Sequence, residues 1–599
     1  MRALLAYPTY DHGKEVMKQY LAGGINAACY PGRTTEDSET MDQNCWSEIA
    51  GHAEFIGFPV VRTVCPGCEH RKKCQESGYL GQLRIVKEAD VAICTHKRAE
   101  YAGLGEMVSS RQFLAIHENF IDVLRPKMSI TVPDLIQATY VLGQVLNDPR
   151  FLDRFGDALR VDDNGNLYED EELAIRRDRQ YEFCRLLADM FDQLLAALHS
   201  AEKTIEWRPE SVLKRPQGIE RMLFFATRTT GASFKRPAWR FILSATSGEL
   251  CSAAIIVEQK SKKRGKGVVH AKKSAIGVRN NVHPPTVTNW FNDATSTVDR
   301  LEMILGDGLL QDETPQGYLP LKKKAVQILR DVTRRTSPKT VANVICGVMA
   351  DRPQFHRIGI ICHNPHMSAL KTLGSEFESR IAKSTYFGSG EDRSSNEWHQ
   401  QCDLLIIVGT PRVPPRAVAE YLVQVDEVGA ACRQPQWGVV YWRGETESGE
   451  PVKVKSSGYR DEAWRRAHRD LVRARIVQAV GRGRGILKTG CEVIVLSNEE
   501  CGLVISDVGM EALNGGSAKV LEALRQLTAE NANIYYLGKT AVSTRKIAQT
   551  ISIKPRRVRE LLSSLERRGL VRRVGERSGW LPVIPATEEA APCADMQLG

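Results

Sequence analysis

No apolar run in the 599-residue sequence approaches the ~18–20 residues that a bilayer-spanning helix needs. The N-terminus offers one early cation, Arg2, then the short stretch Ala3–Ala6, and reaches Pro8 at once, too little apolar length for a secretory signal. Glycine (47) and proline (26) are too sparse for a collagen-like or Pro/Gly-rich fibre. Charged residues are 26% and hydrophobic residues 42%, which excludes a wholly disordered chain. These absences leave a multidomain globular protein of about three to five domains. A cytoplasmic location is expected, with no membrane partner. Its 15 cysteines then face a reducing compartment, so clustered cysteines are metal-ligand candidates before they are disulfide candidates.

The formal charge of +10 (82 Lys and Arg against 72 Asp and Glu) is concentrated. Residues 260–273, KSKKRGKGVVHAKK, contain no acid. Residues 551–578 hold nine Lys and Arg against three Glu, a net +6. Two basic patches point to a polyanion, most simply nucleic acid.

Periodicity predicts a strand at Ala3–Ala6 and a helix from about His12 to Leu21, then an irregular insertion over 23–78 rich in Gly, Pro and Cys. Buried parallel strands are expected at Val91–Cys94 and Phe113–Ile116, helices within 134–202, and a strand at Phe241–Leu243. A second series follows. It comprises a helix at Leu321–Arg334, strand Ile358–Cys362, helix His366–Leu373, strand Asp403–Val408, helix Tyr459–Val480 and strand Glu492–Leu496. Alternating strands and helices imply doubly wound parallel sheets, so two such series imply two α/β domains. Helices are expected at 517–529, 543–550 and 555–568, with a hairpin over 570–582 and a flexible tail at 586–599.

Three segments carry chemistry. His117-Glu118 follows an apolar strand, where a carboxylate can order Mg²⁺ and water beside a phosphate. Ser244-Ala245-Thr246 makes a small-residue turn. Gln478-Ala-Val-Gly-Arg482-Gly-Arg484 presents an amide and two guanidiniums on a glycine-rich turn, suited to a transferring γ-phosphoryl. Cys65-Pro-Gly-Cys68-x₅-Cys74, with Cys45 upstream, can converge on one metal.

The order of these segments resembles the superfamily 2 DNA helicases of the iron–sulfur XPD/DinG type, across most of the chain. Ala3–Tyr10 (ALLAYPTY) is similar to motif Ia, 116–120 to motif II, Ser244–Thr246 to motif III and Ile358–His363 to motif IV. FGSGEDRSSN (387–396), followed by CDLLIIVGTPRVPP, is similar to motif V, and 478–484 to motif VI. Ala89-Asp90-Val-Ala-Ile-Cys-Thr95-His96 resembles the segment that follows the metal cluster in that group. The resemblance implies two RecA-like domains, 1–250 and 320–505, joined by a basic loop and connection at 251–319. The first would carry a cysteine metal insertion at 41–78 and a helical arch-like insertion at 127–215. It further implies ATP with Mg²⁺ as ligand and Glu118 as general base beside His117. Gln478 and Arg482 would sense the γ-phosphate with help from Arg484, and Ser244, Ala245 and Thr246 would couple nucleotide to DNA. Pro8, Thr9, Arg393 and Asn396 would contact single-stranded DNA. Cys45, Cys65, Cys68 and Cys74 would hold a [4Fe–4S] cluster; a zinc site fits the spacing by chemistry as an alternative.

The sequence also departs from that pattern. No G-x₄-G-K-[S/T] phosphate loop occurs; the sole GKT, Gly538-Lys539-Thr540, lies in another domain. The first strand and P-loop are therefore expected to be missing from the front, to be supplied by an upstream segment or a partner chain. His117 stands where the family has Asp, and Gly485 where it has its second Arg. At the C-terminus, residues 515–585 resemble a winged helix-turn-helix, with Arg556, Arg557 and Arg559 at the start of its second helix, suited to duplex DNA. The expected function is an ATP-dependent helicase or helicase subunit in DNA replication or repair, nucleoid-associated in a bacterial cell. The alternative is a non-hydrolysing helicase-like scaffold or regulator in replication of a mobile element, beside a P-loop-bearing or primase partner.

Overall fold

The computed structural model describes residues 2–33, 44–102, 104–147, 159–161, 167–169, 171–210, 212–232, 236–258, 272–281, 288–292, 302, 304–305, 322–389, 397–485, 487–506, 515–534, 541–566, 571–574 and 579–582. The chain divides into two compact units. The first comprises Met1–Thr314 with Val413–Val439 and Gly458–Ala474; the second comprises Pro315–Arg412, Val440–Ser457 and Arg475–Gly599.

The first unit is built on a five-stranded sheet ordered Thr288–Asn292, Phe113–His117, Ala3–Tyr7, Val91–Thr95, Ala27–Cys29, and every pairing in it is parallel. ALLAY is buried at all five positions. Such a run suits a strand covered on both faces. Leu4, Ala6 and Cys94 pack with Val86, Leu104 and Phe120 on one face, while Leu5, Tyr7 and Ile93 pack with Val16 and Met17 on the other. Helix Tyr10–Ala22 starts at Thr9, whose hydroxyl accepts from the His12 N–H.

A second sheet in this unit is antiparallel and was not legible in the sequence. It runs Lys127–Thr131, Lys272–Arg279, Leu250–Glu258, Ile205–Glu206. Beneath it lies a core shared by helices Val132–Asn147, Glu171–Ser200, Ile219–Thr230 and Arg236–Thr246, filled by Leu187, Phe191, Leu194, Phe224 and Trp239. Leu187, Phe191, Leu194 and Leu198 recur at helical spacing and are fully buried, so this face of the Glu171–Ser200 helix is core.

The second unit holds another five-stranded, all-parallel sheet: Ala325–Ile328, Glu492–Leu496, Leu404–Val408, Ile358–Cys362, Ile381–Tyr386. Ser337 caps helix Pro338–Ala350 by accepting from the Thr340 N–H, with Pro338 at its first position. The mixed α/β architecture with two parallel sheets agrees with the expectation. In the same unit, helices Gly515–Ile534, Thr544–Thr550 and Pro555–Glu566 and the antiparallel pair Val571–Arg573/Trp580–Pro582 enclose a separate core of Leu524, Ile547, Leu562 and Trp580.

Three expectations are corrected. Residues 236–246 are helix, not a strand ending in a turn. Ala238, Trp239, Phe241, Ile242 and Ala245 are all fully buried, a helical spacing that a short apolar run does not distinguish from a strand. The helix expected at Leu321–Arg334 is instead the strand Ala325–Ile328, held between parallel bonds to Val493–Leu496. Residues 44–78 are not irregular: they contain helices Glu48–Ile56, Val60–Thr63 and Arg71–Glu76. Their apolar residues Ala53, Ile56 and Phe58 join the helical core.

Candidate functional site

In open parallel sheets ligands bind beyond the carboxyl ends of the strands, where strand order reverses. In the first unit that point is the end of Ala3–Tyr7. The chain leaves this strand for neighbours on one side (Val91–Thr95, Ala27–Cys29) and later returns on the other (Phe113–His117). Tyr7-Pro8-Thr9, Thr95-His96 and His117-Glu118 therefore end at one sheet edge, bringing four expected residues, Pro8, Thr9, His117 and Glu118, to one place.

The backbone there is unusual. Glu118 has φ 62° and Asn119 φ 45°, consecutive non-glycine residues in the left-handed region. Such conformations cost of order 1–3 kcal/mol each and concentrate at functional turns. Glu118 is exposed and His117 half-buried. The His117 ring stacks on Tyr7 at 4.3 Å with 13° between planes, and Tyr7 meets His12 at 4.7 Å. Burial lowers the His117 pKa, helped by His12 and His96, so the imidazole is neutral at physiological pH. Burial raises the Tyr7 hydroxyl to about 12. The aromatic and histidine partners at this edge were missed by sequence reasoning; their only signal was position beside a strand end.

The strand ends of the second sheet form a polar cluster of their own. Gly409, with φ 97°, has no room for a Cβ, which would stand 2.9 Å from the Val332 carbonyl and 3.0 Å from the His363 ring. Thr410 and Ser497 share a hydroxyl bond of 2.8 Å. Arg412 bridges Asp331 and Glu499 at 3.1 Å each. Burial, with His366 and Arg334, pushes His363 down to about 4. Thr410 and Arg412 fall in the quoted GTPRVPP run, but its ion-pair network was not visible there.

Gln478 lies near the end of helix Glu462–Gly481 and is half-buried. The chain then turns tightly through Arg482 and Arg484. The Cys491 N–H donates to the Gly483 carbonyl at 2.7 Å, and Arg484 has φ 46°. A Cβ on Gly490 would lie 2.1 Å from the Arg484 carbonyl oxygen, so this turn requires glycine. Arg482 and Arg484 are both half-buried. Ser244, Ala245 and Thr246 are buried in the last turn of their helix, where the Thr246 hydroxyl donates to the Ile242 carbonyl at 3.0 Å. Arg393 and Asn396 lie outside the described residues, as do Lys260–Lys266 of the basic loop.

Cys45, Cys65, Cys68 and Cys74 line one cavity in the first unit, together with Trp46, His70 and Arg71. Burial raises the Cys65 thiol; Arg33 opposes this, and the other three cysteines add to it. Cys65 thus lies within electrostatic reach of the other three cysteines. The Leu80 N–H donates to the Cys74 sulfur at 3.4 Å. As the side chains stand, no three His, Cys, Asp or Glu among the described residues are arranged to hold a metal ion. The cavity and the donor set nevertheless fit a thiolate-ligated group: four cysteines from three segments, one backbone N–H aimed at sulfur, and a nearby guanidinium.

Arg556, Arg557 and Arg559 stand at the exposed start of helix Pro555–Glu566. Glu560 pairs with Arg556 at 3.6 Å and with Arg557 at 2.9 Å. No family model matches the chain, and no curated protein matches it. A solved structure titled XPD_APO is similar to it at 12% identity, covering 83% of this chain and 87% of that one, with a TM-score of 0.37. No helix among the described residues is long and apolar enough to cross a membrane.

Proposed function

We propose that the chain is an ATP-dependent DNA helicase or helicase subunit that moves on single-stranded DNA. The observation that carries this reading is the edge of the first sheet. There Pro8-Thr9 and His117-Glu118 meet at the strand-order reversal, with left-handed backbone at Glu118 and Asn119. In this reading Glu118 is the base that takes a proton from the attacking water, and Gln478, Arg482 and Arg484 contact the γ-phosphate. Pro8, Thr9, Arg393 and Asn396 hold the DNA backbone. The two parallel-sheet units are RecA-like, and the helices of 515–566 with their two-stranded ribbon are a winged helix that grips duplex DNA through Arg556, Arg557 and Arg559. Cys45, Cys65, Cys68 and Cys74 hold a [4Fe–4S] cluster, with zinc the alternative; either would brace the segments that supply the thiolates.

The 599 residues contain no phosphate-cradling G-x₄-G-K-[S/T]. Hydrolysis in this reading needs that loop from elsewhere, such as a P-loop-bearing partner chain. One observation favours a second reading, a non-hydrolysing DNA-binding scaffold. His117, neutral and stacked on Tyr7, stands where an acid would order Mg²⁺.

Fluorescence anisotropy of a labelled 20-nucleotide single strand, titrated with the chain alone, tests the common element of both readings. Salt-dependent binding is expected without nucleotide. Absence of binding at low salt would overturn both.

A further inference from the structure

Residues 437–459 form a two-stranded ribbon, Trp437–Glu445 and Pro451–Tyr459. Its outer part, 440–457, belongs to the second unit. Along both strands exposure alternates, as a pleated ribbon with one face covered requires. The covered face is fixed. The Trp442 indole N–H donates to the Asn498 carbonyl at 2.9 Å, and the Ile505 N–H donates to the Glu445 carbonyl at 2.8 Å. Glu447 meets Lys324 at 2.6 Å and accepts from the Ser506 hydroxyl at 3.1 Å. A Cβ on Gly444 would lie 2.6 Å from Ile505 Cδ1, so that face is closed. Val454 and Ser456 are buried.

The other face is open and has a distinct chemistry. Tyr441 leaves 57% of its surface exposed. Arg443, Lys453 and Lys455 are exposed beside it, and the Lys453 ammonium lies 4.7 Å from the Tyr441 ring centroid. None of the three cations has an ion-pair partner among the described residues. The one carboxylate of the face, Glu445, sits at the turn end, 3.7 Å from where a Gly449 Cβ would be. An exposed ring flanked by unneutralised cations, on a ribbon pinned from behind, combines the two elements that hold a single strand irrespective of sequence: a stacking platform and a track for phosphates.

We propose that this ribbon face binds single-stranded DNA, with one base stacked on Tyr441 and adjoining phosphates on Arg443, Lys453 and Lys455. The proposal rests on the reading above that single-stranded DNA is a ligand of the chain. A protein partner would be expected to bring acidic groups to the same face and would leave strand binding independent of it.

The test uses the full chain, a labelled dT20 strand and anisotropy at several salt concentrations. Tyr441→Ala should weaken binding about tenfold or more, the scale of one base-stacking contact, while Tyr441→Phe should stay within about twofold of wild type. Lys453→Gln with Lys455→Gln should flatten the dependence of log affinity on log salt by about 1.4, about 0.7 for each lost phosphate contact on a single strand. All these side chains are exposed, so melting temperatures should not change. If the wild-type chain binds dT20 and Tyr441→Ala and the double lysine variant bind it equally well with the same salt slope, the ribbon is not a strand site, and the broader reading survives. If the wild-type chain binds no single strand, both fall.

Discussion

His363 shows how much a single buried ring can control. Its folded pKa is near 4 against an ordinary value of 6.5, with burial the main cause. The folded protein therefore keeps the ring neutral where the unfolded chain would protonate it. Stability from this group is complete above pH 6.5 and is lost as pH falls towards 4, by up to about 3 kcal/mol. Thermal melts between pH 7 and pH 4 should show this decline, and His363→Asn should flatten it; an unchanged slope would remove His363 as its source. At the cysteine cavity, purification without oxygen should give protein with broad absorbance near about 400 nm if the group is iron–sulfur. Colourless protein with one zinc would select the alternative. Cys65→Ser should lower metal content in either case, and equal metal in wild type and variant would exclude the cavity as the site. Tyr7, His12 and His117 illustrate what sequence could not supply. The stack depends on strands 3–7 and 113–117 being neighbours, which no local pattern encodes.

Elements were legible where one period dominated. The strands at 3–7, 91–95, 113–117, 358–362, 404–408 and 492–496 are continuous apolar runs and were all anticipated. The run RPAWRFILSAT was misread because six apolar positions in a short stretch satisfy both periods, and helical packing against Phe58 and its neighbours decides between them. The antiparallel sheet was missed because strands such as Lys127–Thr131 and Lys272–Arg279 pair across a long interval; the 437–459 ribbon is a local hairpin whose alternation, as in Val452-Lys453-Val454-Lys455, was overlooked. Glu118 and the four cysteines were singled out by identity and spacing; the structure places Glu118 just after strand Phe113–His117 and the four cysteines around one cavity, and their roles belong to the proposal. The Arg412 network with Asp331 and Glu499 was not found, since its members lie far apart in sequence. Two predictions belong at this scale. Gly490→Ala should lower stability by about 1–3 kcal/mol, the typical cost of overpacking, because its Cβ would meet the Arg484 carbonyl oxygen at 2.1 Å; an unchanged melting temperature would refute the tight-turn account. Replacing Arg556, Arg557 and Arg559 by Ala should weaken duplex binding and flatten its salt dependence by about 0.9 per lost phosphate contact. Duplex affinity that does not move would assign this helix to protein contacts.

For the whole molecule the central claim is that Glu118, at the edge of the first parallel sheet, works on ATP once phosphates are anchored. The chain as it stands has Glu118, Gln478, Arg482 and Arg484 but no G-x₄-G-K-[S/T] to cradle the β- and γ-phosphates. Losing that anchoring removes several kcal/mol of transition-state stabilisation, about a thousandfold or more in rate. The most direct measurement is DNA-stimulated ATP turnover in three preparations: the chain alone, the chain with a P-loop-bearing partner, and that same complex carrying Glu118→Gln. The account predicts turnover near background for the chain alone, strong DNA-dependent turnover for the complex, and a return to background with Glu118→Gln. Vigorous turnover by the chain alone, or a complex indifferent to Glu118→Gln, would contradict it.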